Sequence, residues 1–153
     1  MKKLAFLTVF FFLTTVGLVF KFIVVGDVQK HYDGRVAVKV NQDEVNYIRE
    51  KMRGFLSSFQ EVADGIAKEN YEEVASAARR SGKFIRDNAP AGLVGKVPLR
   101  FKSLGFDTQD RFDVLAQAAK EHRDPKYLLS QLSAIAKNCA ACHYSYTFKV
   151  VGP

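Results

Sequence analysis

Three regimes of hydrophobicity follow one another along the chain. Residues 4–20 are uncharged and rich in Phe, Leu and Val; Lys21 interrupts, and residues 22–25 are apolar again. Residues 26–40 show no helical period, only a weak alternation over 35–40 that suits a short extended segment. Beyond Asn41 the pattern turns helical. Val45, Ile48, Met52, Phe55, Phe59, Val62 and Ile66 recur at spacings of 3, 4, 3, 4, 3 and 4. That keeps apolar side chains on one stripe for about three heptads. Asn41 or Asp43 stands where it can cap the start of this helix, and the Asn70 region ends it.

Three more helical segments follow. Residues 71–87 place Val74, Ala77, Ala78 and Ile85 on one face, with small side chains that allow close approach. Residues 88–98 hold two prolines and two glycines and read as a loop. A third segment opens at Pro98, breaks near Gly105 and resumes over 108–121, with Phe101, Leu104, Phe106, Phe112, Leu115 and Ala119 on its apolar side. Asp124-Pro125 starts the fourth, with proline at a first-turn position where its missing N–H is harmless. No β-patterned run of useful length is seen. Four such helices with short connections predict an all-α fold, an antiparallel four-helix bundle over residues 42–153, joined by a linker (26–41) to the N-terminal segment (1–25).

The N-terminal segment is a membrane signal of one of two kinds. Lys2 and Lys3 form a positive start, and the apolar run of 17 residues before Lys21 exceeds the usual core of a cleavable leader. Residues 24–26, Val-Val-Gly, make a mediocre cleavage site, and Lys21 can extend towards headgroups, so 4–25 can just span a bilayer. An uncleaved anchor and a removed signal peptide both export the remainder. The first puts it on the periplasmic side of the inner membrane, the second in the soluble periplasm.

Formal net charge is +7, of which Lys2, Lys3 and Lys21 carry three, leaving +4 from Asp27 onward. A scattered charge of that size does not make a nucleic-acid footprint. Arg79, Arg80 and Lys83 form a small basic cluster that suits an acidic partner surface. The chain holds no carboxylate pair, nucleophile triad or phosphate loop, so an enzyme is not expected.

The only two cysteines lie three residues apart in Cys139-Ala140-Ala141-Cys142-His143. In a Cys-x-x-Cys-His arrangement the thiols add across the vinyl groups of a haem, and the adjacent histidine binds the iron. Two cysteines at that spacing project from one side of a helical turn and reach neighbouring vinyls. Leu128, Leu132, Ile135, Cys139, Cys142 and Tyr146 follow spacings of 4, 3, 4, 3 and 4, which sets both thiols on the inward stripe of the fourth helix. A thiol-redox Cys-x-x-Cys belongs to a βαβ context that is absent here. A zinc site would have to recruit His122 or His31. The expectation is one covalently attached haem c, with His143 as axial iron ligand.

A single Cys-x-x-Cys-His late in a four-helix pattern resembles the class II c-type cytochromes, the group of cytochrome c′ and cytochrome c-556. The likeness spans about residues 42–149. The stretch 97–116, with Phe101-Lys102-x-Leu104-Gly105-Phe106, also looks like small exported class II-like cytochromes of proteobacteria. Class II proteins often follow the motif with an aromatic and then an arginine near a haem propionate; Tyr146 suits the first place, but Thr147 holds the second. Propionate pairing would then fall to Arg49 or Arg53, or the propionates would face water.

The resemblance implies that the residue across the ring decides function. Met52, the only methionine after the initiator, stands near the place where cytochrome c-556-like proteins supply a thioether sulfur as sixth ligand. Iron held by His and Met shuttles electrons, whereas iron with one open side binds small gases. The expected function is therefore a periplasmic electron carrier between redox partner proteins. The alternative is a five-coordinate protein of the cytochrome c′ kind that binds nitric oxide or carbon monoxide, with Phe55 or Phe59 crowding the open side. His31 and His122 are further candidates for the sixth position. Class II-like bundles often form homodimers through their first two helices, and a membrane is a partner if the N-terminal segment stays uncleaved.

Overall fold

The computed structural model describes residues 2–83, 89–90 and 92–152, which are mostly helical, with six α-helices and one small sheet. Helix α1 (Lys2–Val19) continues as a π-helical segment (Phe20–Val25). Together these 24 residues are long and apolar enough to cross a membrane, and their apolar window is not buried within the protein. The rod ends at Gly26, where φ is +75° and a Cβ would run into the Lys96 carbonyl oxygen. Only glycine lets the chain pass so close at that angle. Asp27 N–H then donates to the same carbonyl at 2.7 Å.

The expected linker is instead part of a sheet. Strands β1 (Val28–Lys30) and β2 (Val36–Val40) pair antiparallel, and β3 (Tyr146–Val150) pairs parallel with β2, Val36 opposite Tyr146 and Val40 opposite Val150. Tyr146, expected to close the inward stripe of the last helix, opens this third strand. Val38 and Val40 are fully buried. The extended segment expected at 35–40 is β2; β1 and β3 escape a local reading because they are short, and because β3 finds β2 more than a hundred residues away.

Helix α2 (Gln42–Ala67) starts in a capping box. Glu44 N–H donates to Asn41 Oδ1 and Asn41 N–H to Glu44 Oε2, each at 2.8 Å. Helix α3 (Tyr71–Arg80) stops short of the expected residue 87; Ile85 and Asp87 lie outside the described residues. A short helix α4 (Leu93–Lys96) interrupts the expected loop. Helix α5 (Leu99–Glu121) runs unbroken through Gly105. A glycine costs a helix interior only about 1 kcal/mol, too little to break 23 residues held by packing. Helix α6 (Pro125–Ser145) begins as read, with Asp124 Oδ1 accepting from Lys126 N–H at 2.9 Å.

Helices α2, α3, α5 and α6 pack in a ring, each against the next, with the α2–α6 seam the sparsest. Because β2 leads directly into α2 and β3 follows directly from α6, the start of α2 and the end of α6 both lie at the sheet. The apolar interior divides into two clusters. One is built on Val62, Ile66, Val74, Phe112, Leu115, Leu128, Leu132 and Ile135, far from the sheet. The other gathers Val38, Val40, Val45, Ile48, Leu93 and Val97 beside it.

Candidate functional site

Between those clusters the three long helices lose their buried positions at one level. On α2 no residue from 49 to 57 is buried; on α5 none from 99 to 107; on α6 none from 136 to 145. The α2 and α5 stretches line one cavity, and α6 meets α5 here through Asn138, whose Nδ2 donates to Asp107 Oδ2 at 2.6 Å. Cys139 falls in this layer, on the same helical line as buried Leu128, Leu132 and Ile135, yet it is exposed. Cys142 is half-buried, and both thiols are free. His143, on the last turn of α6, is exposed. An inward position that meets solvent means the interior is open there.

A cavity of about 270 Å³ opens on this layer between α2, α4 and α5. Its walls are almost entirely apolar and include Ile48, Met52, Phe55, Leu93, Phe101 and Gly105. Met52 is 39% exposed, the signature of a side chain on a stripe whose partner layer is missing. The lining includes none of Cys139, Cys142 or His143. The candidate residues therefore share one end and one level of the protein without lining a single pocket. Phe101 joins the two halves: it lines the cavity, and its ring meets Tyr146 edge-on at 5.3 Å and Phe148 at 5.9 Å.

Burial by surrounding protein atoms pushes the Cys142 thiol up to about 11, and the neighbouring Cys139 adds to the rise. Cys139 is raised for the same main reason, desolvation. Thiol–disulfide exchange needs a depressed pKa and a ready thiolate, so these sulfurs are poorly set for it. Among the described residues no group of three or more His, Cys, Asp or Glu side chains could hold a metal ion.

The remaining candidates lie away from the motif or are engaged elsewhere. His31 Nδ1 lies 2.8 Å from Asp33 Oδ1, and His122 is exposed, its ring edge-on to Tyr127 at 5.1 Å. Phe55 stacks on Phe112 at 5.9 Å and, with Phe59, packs against the far cluster. Arg49 and Arg53 are exposed on α2. The basic cluster is neutralised: Arg79 pairs with Asp113, Arg80 with Glu61 and Lys83 with Asp110.

Arg35 is a contributor that sequence reasoning passed over. Its guanidinium is held by Asp33 (Nη2 to Oδ2, 2.7 Å; Nε to Oδ2, 2.8 Å) and donates through Nη1 to the carbonyls of His143 and Tyr146 at 3.4 and 3.3 Å. A cation at a helix C-terminus offsets its dipole, and this one sits on the turn that carries His143. Arg35 first, then His31, holds the Asp33 carboxyl well below the usual carboxylate range. No local signal ties Arg35 to the His143 turn, since the carbonyls it reaches there lie over a hundred residues away.

No protein-family model, curated protein or solved structure matches this chain.

Proposed function

We propose that the chain is an exported, membrane-anchored c-type cytochrome: a helical bundle of α2, α3, α5 and α6 with one covalently bound haem, passing single electrons between redox partner proteins. The observation that carries this reading is the open layer between the two apolar clusters, at the level of Cys139-Ala140-Ala141-Cys142-His143. A bundle that leaves three apolar helix faces uncovered beside that motif loses burial that a flat apolar ring would restore. Cys139 and Cys142 would hold the ring through thioether bonds, and His143 would bind its iron. When bound, the haem supplies a reversible one-electron change at iron.

The chain's own residues do the rest. Met52 would offer its sulfur from α2, which favours reduced iron relative to a second histidine. Phe55 and Phe101 keep the layer apolar and exclude water. Arg35 steadies the turn bearing His143. The 24-residue apolar rod would keep this domain on the periplasmic side, with Lys2 and Lys3 in the cytoplasm.

The test is expression with export, followed by denaturing electrophoresis and haem staining. Covalent haem should co-migrate with the intact chain and be lost in a Cys139→Ser/Cys142→Ser double variant; a chain that exports without haem refutes the proposal. Because Met52 lines a cavity that lacks the motif residues, the gas-binding reading stays in view. A reduced spectrum indifferent to carbon monoxide, which becomes responsive in Met52→Ala, supports the electron carrier. A spectrum of the unsubstituted protein that shifts with the gas favours the open site.

A further inference from the structure

The apolar rod is docked on the domain and not loosely tethered to it. Lys102 of α5 donates through Nζ to the carbonyls of Phe22 and Ile23 at 3.2 and 3.1 Å, and Lys21 Nζ donates to the Gly26 carbonyl at 2.8 Å. The Phe22 ring abuts Gly95, and the π-helical segment packs on both α4 and α5. These contacts set α4 and the first turn of α5 beside the point where the rod leaves its apolar span.

That flank mixes two kinds of side chain. Val94 is 54% and Leu99 46% exposed, although both are large and apolar. Lys21, Arg100 and Lys102 carry charges that no carboxylate of the described residues pairs with. The first turn of α5 contains no acid to compensate. Apolar side chains interleaved with unpaired cations are what the boundary between headgroups and acyl chains accepts.

We propose that this face rests on the bilayer, with anionic phospholipid headgroups as its partner. Val94 and Leu99 enter the acyl boundary, while Lys21, Arg100 and Lys102 meet lipid phosphates. The domain is thereby held in one orientation, with its sheet end and open layer towards the membrane. The proposal rests on residues 2–25 remaining as an uncleaved span.

The chain has no tryptophan, so a single introduced one reports its own surroundings. The full chain carrying Leu99→Trp, or Val94→Trp should the first fold poorly, is reconstituted in phosphatidylcholine vesicles with or without one third phosphatidylglycerol. A control carries Leu129→Trp, an exposed site near the opposite end of α6. Each variant is compared between plain and tail-brominated lipid, which cancels quenching by a bound haem. Leu99→Trp should be quenched at least twofold more than Leu129→Trp. Phosphatidylglycerol should increase the difference, and adding Arg100→Glu should reduce it. Equal quenching at the two sites overturns the proposal, and indifference to phosphatidylglycerol overturns its headgroup part. An intact mass lacking the N-terminal segment, with release by carbonate, overturns the anchor and this proposal with it. Haem staining reads the cytochrome assignment separately.

Discussion

If the proposed haem fills the open layer, Gly105 offers a perturbation with opposite effects on the empty and the loaded chain. It sits inside α5 and lines the cavity, and nothing lies within 4 Å of where its Cβ would be. Replacing a mid-helix glycine by leucine recovers about 0.8–1 kcal/mol of helix propensity. If the leucine covers about 40 Å² of apolar surface in the cavity, burial adds about 1 kcal/mol at about 25 cal/mol per Å². The haem-free chain in detergent should therefore gain about 2 kcal/mol, an upward shift of roughly 4–8 °C in thermal unfolding followed by far-UV circular dichroism. Gly105→Ala should gain the propensity share alone. On the proposed function the sign reverses with haem, because the leucine would take space the ring needs and overpacking costs about 1–3 kcal/mol. Haem per exported chain should fall several-fold in Gly105→Leu and stay unchanged in Gly105→Ala. A stabilised Gly105→Leu chain that loads haem as well as the parent would refute the assignment of this layer.

Three further outcomes follow from the packing. Glu44 is 2% exposed, and both its oxygens accept from Lys96 Nζ at 2.8 Å. Lys96→Met strands a buried carboxylate and should cost about 3 kcal/mol in denaturant unfolding. Glu44→Gln, which leaves a lysine able to reach water, should cost less; the reverse order would contradict the burial argument. Phe112 is 1% exposed and stacks on Phe55, so Phe112→Ala should cost about 3–5 kcal/mol. A loss below about 1 kcal/mol would show that the far cluster is not a close-packed core. Asp33 is depressed by Arg35 and His31, and Asp107 by Asn138 and Arg111. A carboxyl whose folded pKa lies below its unfolded one adds stability that is present above the unfolded value and lost as pH falls through the folded one. Stability should thus decline below about pH 4, and Asp33→Asn should flatten that decline; an unchanged acid limb would remove Asp33 from the balance.

Periodicity alone found α2 and α6, because their stripes are long, regular and bounded by side chains with one obvious capping role. Asn41 and Asp124 act as caps in the structure. The apolar rod was equally legible, since length and hydropathy need no partner to be read. Cys139, Cys142 and His143 lie on α6, where the apolar spacing puts them. What stayed hidden depends on contacts distant in sequence. Tyr146–Val150 becomes a strand only beside the extended segment at 36–40, and Arg35 reaches the His143 carbonyl only because the fold brings the two together. The continuity of α5 through Gly105 was missed because a local penalty of about 1 kcal/mol looks decisive until packing along the helix is counted.

The stripe through Met52 and the stripe through Cys139 each read as one unbroken apolar face, and here the sequence by itself could go no further. A 3.5-residue repeat specifies which face of a helix is apolar, but not whether another helix stands opposite it. Only the tertiary structure decided that: α3 stops at Arg80, the interior splits into two clusters, and an open apolar layer remains between them. The pattern determined the faces. The lengths and ends of neighbouring helices, set by long-range packing, determined where those faces are left uncovered.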